Sequence, residues 1–241
     1  MKFFKTKKQL DVNSMENGVQ MITVTAPNST NTEQFNTIRT NIEFSNIDKQ
    51  LKSIVLTSSS ASEGKSTMAA NLAVSFARQG KKVLLIDSDL RRPTIGATFN
   101  IINPIGLTNY LTEQSVSVND IFYKTSIDKL YIIPSGPIPP NPSELIGSKK
   151  MKKLIKMLED AFDLIIYDAP PVLSVTDAQI LSTKVDGTII VVRVNKTEKE
   201  AVKQAVELIK HVNGKIIGTI LNDVVGESNG YYGYYGKNDK R

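Results

Sequence analysis

A run of small and polar residues has the composition of a phosphate-binding loop. It comprises Ser59, Ser60, Ala61, Ser62, Glu63, Gly64, Lys65, Ser66 and Thr67. Ser59 stands where the strict pattern G-x-x-x-x-G-K-[ST] has its first glycine, but the physical requirements survive. Gly64 lets the backbone fold around phosphate, Lys65 reaches the terminal phosphates and Ser66 can ligate magnesium. We therefore predict a site for ATP and Mg²⁺; the alternative is a Gly-Lys-Ser turn without a ligand.

Three aspartates follow two predicted strands farther along the chain. Asp87 and Asp89 come after the apolar run KVLLI, and Asp168 comes directly after LIIY. Because parallel strands end at the same edge of a sheet, we expect these acids to lie beside the phosphate-binding loop. Carboxylates in that place bind the magnesium ion of a nucleotide directly or through water. Each of them taken alone could equally be an ordinary loop aspartate.

Aromatic residues are concentrated near the C-terminus. Four of the eight tyrosines in the chain lie within five residues, at Tyr231, Tyr232, Tyr234 and Tyr235. Glycine, asparagine and lysine flank them, so the segment cannot build a core, and we expect it to be mobile and exposed. It is either low-complexity sequence or a substrate for the site described above.

The elements that position these residues alternate between strand and helix. Apolar, β-branched runs predict strands at 52–57, 82–86, 130–133, 164–167, 188–194 and 215–221, and helical patterns cover 33–44, 66–79, 149–160, 176–182 and 197–211. This alternation predicts an α/β fold, a mostly parallel β-sheet with helices on both faces, of the P-loop NTPase-like class. We divide the chain into a flexible N-terminal arm (1–30), a P-loop domain (31–224) and a mobile tyrosine-rich tail (225–241).

Composition and charge exclude several classes of protein. The chain has 241 residues, 40% of them hydrophobic, no cysteine and a formal charge of +6. Thiolate metal sites and disulfides are therefore excluded, and no apolar run has the roughly 20 residues of a membrane span. The excess positive charge lies in the two tails. Basic tails either lie near an anionic membrane or simply keep a terminus solvated, so we expect no nucleic-acid partner. The cytoplasm is the expected compartment.

The phosphate-binding loop and the two aspartate segments together resemble three motifs of the bacterial tyrosine kinases of capsule and exopolysaccharide synthesis. In that family a Walker A loop, an apolar run with D-x-D-x-R and an apolar run with D-x-x-P occur in this order. Here they read SSSASEGKST, VLLIDSDLR and LIIYDAPP. The resemblance covers nearly the whole chain and implies a protein-tyrosine kinase that uses Mg-ATP.

The resemblance also implies a role for each site residue. Lys65 holds the β- and γ-phosphates, Ser66 and Asp87 organise magnesium, and Asp168 anchors the water shell of the ion. Asp89 is then the base or the orienting group for the incoming tyrosine hydroxyl. The four tail tyrosines become autophosphorylation sites that enter the active site of a neighbouring subunit. Asn222 follows the last strand, a position that contacts adenine in related P-loop folds.

Partners are implied in the same way. The family pattern E-x-x-R-x-x-R on a helix pairs neighbouring subunits in a ring-shaped octamer, and Glu33 and Arg39 fit it. Asn36 replaces the first arginine and removes a charge-assisted bond, so a ring here is weaker or uses other contacts; the stripe can also be an ordinary helix face packing within its own domain. Soluble members of the family are activated by the cytoplasmic tail of a separate membrane protein, which recruits them to the inner face of the membrane.

Two other functions fit part of this pattern. A partitioning-type ATPase of the deviant-Walker class shares the fold, but it carries a signature lysine where this chain has Ser60. An ATP-binding regulatory scaffold without kinase activity is the third reading. Neither gives the tyrosine-rich tail a role.

Overall fold

A single seven-stranded sheet organises the computed structural model, which describes residues 14–45 and 51–224. The strands are β1 (Ser53–Ser58), β2 (Val83–Asp87), β3 (Tyr123–Lys124), β4 (Leu130–Ile133), β5 (Leu164–Asp168), β6 (Gly187–Arg193) and β7 (Ile216–Asn222). Their order is β3-β4-β2-β5-β1-β6-β7. Every pairing is parallel except the one between the edge strand β3 and β4. The predicted α/β class with a mostly parallel sheet is confirmed.

Helices cover both faces of the sheet. They are α1 (Ser14–Asn17), α2 (Ile22–Thr25), α3 (Thr30–Phe44), α4 (Lys65–Arg78), α5 (Ile95–Thr98), α6 (Leu107–Thr112), a 3₁₀ turn (Val118–Ile121), α7 (Pro142–Gly147), α8 (Lys149–Ala161), α9 (Asp177–Ser182) and α10 (Lys199–His211). Apolar side chains form two buried clusters, one with α3 and α4 and the other with α8, α9 and α10. The central strands β1, β2 and β5 are wholly buried, and each contains an uninterrupted run of apolar or aromatic residues, IVL, VLLI and LIIY, as expected of strands that are covered on both faces.

Helix α8 shows how local sequence produces this packing. Met151, Leu154, Ile155 and Leu158 recur at helical spacing and form its buried face. Ser148 caps the helix, because its hydroxyl accepts a hydrogen bond of 3.1 Å from the Met151 N–H. The sequence pattern placed this helix within one residue of its observed end.

The segment 14–30 differs from the extended arm predicted for it. It forms α1 and α2, and α2 lies against α4, where the N–H and hydroxyl of buried Thr23 donate to Asn71 Oδ1 at 2.9 and 2.8 Å. Asn71 in turn donates to the Gln20 carbonyl. Polar side chains in this stretch are therefore satisfied by a distant helix, which a local pattern does not reveal. The first 13 residues of the predicted arm lie outside the described residues.

Candidate active site

The phosphate-binding loop joins β1 to α4 in a conformation that requires glycine. Gly64 has a φ of 92°, in the left-handed region, and a Cβ atom there would approach Asn222 Nδ2 to 2.2 Å. Gly64 precedes the first residue of the 14-residue helix α4, and among the described residues no side chain caps this N-terminus. Its N–H groups and the positive end of the helix dipole are thus available to a phosphate.

Ser59 and Glu63 shape the loop from within. The Glu63 carboxylate accepts hydrogen bonds from the Ser59 N–H at 3.1 Å and from the Ser59 hydroxyl at 3.0 Å. Both residues are buried, so a serine at the usual glycine position closes the loop through its own side chain. Ser60, Ala61 and Ser62 form the exposed tip of the loop, and Thr67 lies in the first turn of α4.

The Lys65 ammonium group lies between two of the predicted acids. Its Nζ atom is 2.8 Å from Asp89 Oδ2 and 3.3 Å from Asp168 Oδ1, and it donates to the Ser66 hydroxyl at 3.2 Å. Burial alone would lower the pKa of Lys65, but the charges of Asp168 and Asp89 outweigh burial and raise it. Lys65 is therefore protonated at neutral pH and places a positive charge where the loop meets α4.

Asp87 and Asp168 end neighbouring strands and are direct partners in the β2–β5 register. Both are fully buried. Asp87 Oδ2 accepts from the N–H groups of Thr94 and Ile95, each at 2.9 Å. Burial, with the charge of Asp168, raises the pKa of Asp87 to about 8. Burial also raises the pKa of Asp168, against the opposing effect of Lys65.

Each of these two carboxylates keeps one oxygen free within the described part of the chain. Asp87 Oδ1 and Asp168 Oδ2 are buried and have no hydrogen-bond partner there. An unsatisfied buried carboxylate oxygen is costly, and a divalent cation would satisfy it. Mg²⁺ is usually held by one or two carboxylates, water and substrate phosphates. Asp87, Asp168 and the nearby Ser66 hydroxyl therefore fit magnesium.

The end of β7 contacts the phosphate-binding loop directly. Asn222 Nδ2 donates to the Glu63 carbonyl at 3.0 Å, so this predicted residue supports the loop backbone. Arg193, at the end of β6, donates to the Ser62 carbonyl at 3.3 Å and forms an ion pair of 3.0 Å with Asp223. Arg193 was not predicted. Its position at a strand end beside the loop is the only sequence signal that could have indicated it.

The predicted oligomer stripe lies away from this edge, on α3. Asn36 Oδ1 accepts from Arg39 Nη1 at 3.2 Å and from the Ser75 hydroxyl at 2.9 Å. Asn36 Nδ2 donates to the exposed Glu33 carboxylate at 3.3 Å. Much of the stripe is therefore engaged within its own chain, against α4. The four tail tyrosines lie outside the described residues.

The loop, the acids and the sheet define a P-loop nucleotide-binding domain, and residues 51–222 match the AAA domain family. The chain is 48% identical to tyrosine-protein kinase YwqD of Bacillus subtilis over 219 residues, covering 91% of this chain and 92% of that protein. The solved chimerical protein CapA2B2 is similar, with a TM-score of 0.80, 41% identity and coverage of 83% of this chain and 88% of that one. The kinase domain of the Escherichia coli tyrosine kinase ETK gives a TM-score of 0.83 at 28% identity, covering 95% and 89%.

Within the P-loop class, the chain belongs to the bacterial protein-tyrosine kinase family. The predicted family and enzyme class are thereby confirmed. Across residues 14–45 and 51–224, no helix has the length and apolar character needed to cross a membrane.

Proposed function

We propose that this kinase transfers the γ-phosphoryl group of Mg-ATP to Tyr231, Tyr232, Tyr234 and Tyr235 of a neighbouring copy, and so regulates capsule or exopolysaccharide synthesis. The observation that carries the proposal is the position of Lys65, in contact with Asp89 and Asp168 where the phosphate-binding loop meets the ends of β2 and β5. A cation and two acids thus lie in contact, and Asp87 ends the strand beside Asp168, which supports our assignment of Asp87 and Asp168 to magnesium and of Asp89 to the acceptor.

Each residue then has one task in the transfer. The loop N–H groups and Lys65 hold the β- and γ-phosphates and offset the charge that develops on them. Asp87, Asp168 and Ser66 would hold magnesium, which neutralises phosphate charge when it is bound. Asp89 is free of the Thr94 and Ile95 contacts that fix Asp87, and it orients the tyrosine hydroxyl or accepts its proton. Because a phenol has a pKa near 10 and the transition state is loose, alignment is the larger part of this task.

Reach does not decide between transfer within a copy and transfer between copies. β7 is three strands from β5 in the sheet, or roughly 14 Å at the usual strand spacing. Tyr231 follows Asp223 by eight residues, which span at most about 26 Å. The route within one copy is therefore long enough and is not excluded by reach, and the family resemblance favours transfer between copies.

A mixing experiment tests transfer between copies. One protein carries Lys65→Met with all four tail tyrosines, and the other keeps the active site but has phenylalanine at Tyr231, Tyr232, Tyr234 and Tyr235. Phosphotyrosine should appear on the Lys65→Met chain and rise with protein concentration. If the wild-type protein phosphorylates itself under the same conditions while this mixture stays unlabelled, the trans mechanism is wrong.

The proposed assembly is a homo-oligomer, in the family form a ring-shaped octamer, activated by the cytoplasmic tail of a separate membrane protein at the inner membrane face. Glu33 and Arg39 support it, since both lie on α3 with side chains at least partly accessible. Asn36 weakens it, because its amide is already bonded to Arg39 and Ser75. Sedimentation of the wild type and of Arg39→Ala, with and without an activator peptide, tests this arrangement. Equal sedimentation of the two would remove α3 from the interface.

A further inference from the structure

Arg91, the last residue of the D-x-D-x-R motif, forms no hydrogen bond or ion pair with the predicted active-site side chains that the structure describes. Its guanidinium group instead forms a two-point ion pair with Asp177, at 3.2 Å from Nε to Oδ2 and 3.4 Å from Nη2 to Oδ1. Asp177 is fully buried at the first position of α9. The pair therefore joins the loop after β2 to the loop after β5, across 86 residues of sequence.

A third segment, the short helix α7, contributes Ser143 to the same cluster. Its hydroxyl accepts from Arg91 Nη2 at 3.1 Å and donates to Asp177 Oδ1. Since α7 follows β4 along the chain, the cluster connects the segments that leave β2, β4 and β5, which are adjacent in the sheet. Buried charges are tolerated when they are paired and hydrogen-bonded in this way.

The segment anchored by Arg91 also holds two active-site acids. The Arg92 N–H donates to Asp89 Oδ1 at 3.0 Å, and the Thr94 and Ile95 N–H groups donate to Asp87 Oδ2. Asp168 lies on the Asp177 side of the ion pair. It stands nine residues before Asp177, where the loop after β5 begins. The β2–β5 pairing already sets the backbone of Asp87 beside that of Asp168. The junction between the two loops therefore controls what the pairing leaves open, namely the orientation of the Asp87 carboxylate and the position of Asp89 relative to Asp168.

We propose that Arg91, through Asp177 and Ser143, is a positioning residue that keeps Asp87 and Asp89 aligned with Asp168 for magnesium and the acceptor hydroxyl. The inference rests on the proposed Mg-ATP site. It does not depend on which tyrosine is the acceptor. Lysine cannot replace Arg91 in this role, because an ammonium group lacks the planar pair of donors that binds both carboxylate oxygens.

The test compares Arg91→Lys with Lys153→Arg, a matched exchange between the same two residue types at an exposed position on α8. Calorimetric titration with ATP, in Mg²⁺ and in EDTA, gives the gain in affinity that magnesium provides. We expect Arg91→Lys to lose roughly tenfold of that gain and roughly 10- to 100-fold in kcat, by misplacement of the acids. Its ATP affinity in EDTA should match the wild type, since the phosphate-binding loop is untouched, and Lys153→Arg should be normal throughout.

A second variant covers the case in which Arg91→Lys does not fold. Asp177→Asn leaves no buried unpaired charge, because the Arg91 side chain is 38% exposed to solvent. This variant should show the same selective loss of the magnesium-dependent gain in ATP affinity, but a smaller one. The proposal is overturned if the folded variant keeps the full magnesium gain, or if it loses ATP affinity equally in Mg²⁺ and EDTA. A wild-type protein with no magnesium gain would instead contradict the proposed Mg-ATP site.

Discussion

At the catalytic edge, Asp87 Oδ1 and Asp168 Oδ2 are buried without a hydrogen-bond partner in the described residues. On α3, the Asn36 amide is engaged on both its oxygen and its nitrogen, by Arg39, Ser75 and Glu33. The first arrangement has an unfavourable desolvation free energy, which a bound metal cation would offset. The second stabilises the fold without a ligand, because its polar atoms already have partners. Polar residues of similar type thus serve a ligand in one region and the fold in the other.

Removing the positive charge of Lys65 should give the largest effect on tyrosine phosphorylation. Lys65→Met loses the charge that faces the phosphates, so we expect kcat for tyrosine phosphorylation to fall by at least about 10²–10³-fold. Steady-state phosphotyrosine measurement checks this.

The same variant leaves Asp89 and Asp168 without their ion-pair partner, so its thermal unfolding should be measured in parallel to confirm that a folded protein is assayed. Near-normal tyrosine phosphorylation by the folded variant would contradict the site.

The acids should separate into two classes. Asp87→Asn and Asp168→Asn each remove a carboxylate with an unsatisfied oxygen, so both should weaken Mg²⁺-dependent ATP binding by about 10-fold or more. Asp89→Asn should leave that binding close to normal and slow transfer instead, because both Asp89 oxygens already have partners, Lys65 and the Arg92 N–H, and we assign this acid to the acceptor hydroxyl. Titration with ATP in Mg²⁺ and EDTA, combined with kcat, distinguishes them. Equal loss of binding in all three would refute this division of roles.

The acidity of Asp87 gives a pH-dependent prediction. Its pKa is raised to about 8, so below that pH the carboxyl carries a proton that magnesium must displace. Affinity for Mg-ATP should therefore rise with pH up to about 8, by at most about tenfold per unit, and level off above it. Asp87→Asn has no such proton, and its weaker binding should show less pH dependence. Parallel slopes for the two proteins would show that Asp87 does not titrate in the binding step.

The α3 region should respond by stability alone. Asn36→Ala removes the acceptor for Arg39 and Ser75, and we expect a loss of about 1 kcal/mol, or roughly 2–4 °C in Tm. Magnesium-dependent ATP binding should not change. Gln34→Ala, at a neighbouring exposed position, is the control and should leave Tm unaltered. A change in ATP affinity for Asn36→Ala would mean that the two regions are coupled.

The sequence was informative where local pattern determines structure. β1, β2 and β5 are apolar runs buried on both faces, so their ends could be located, and with them the positions of Asp87 and Asp168. Contacts between distant residues escaped prediction. The packing of Thr23 on Asn71, the Arg91 pair with Asp177 and the contact of Asn36 with Ser75 each join side chains far apart in the chain, and no periodicity marks them. The short helices α5, α6 and α7 were not predicted, because four to six residues give only a weak helical pattern, although the equally short α9 was located.

Incubation of the purified protein with γ-labelled ATP distinguishes the kinase from both alternatives, because it shows where the phosphoryl group goes. We predict Mg²⁺-dependent label on tyrosine of the wild type, in the presence of the activating partner if one is required, and none on Lys65→Met alone. Release of free phosphate without phosphotyrosine would support a partitioning-type ATPase. Binding without any transfer would support a scaffold, and either result would contradict the kinase mechanism proposed for this chain.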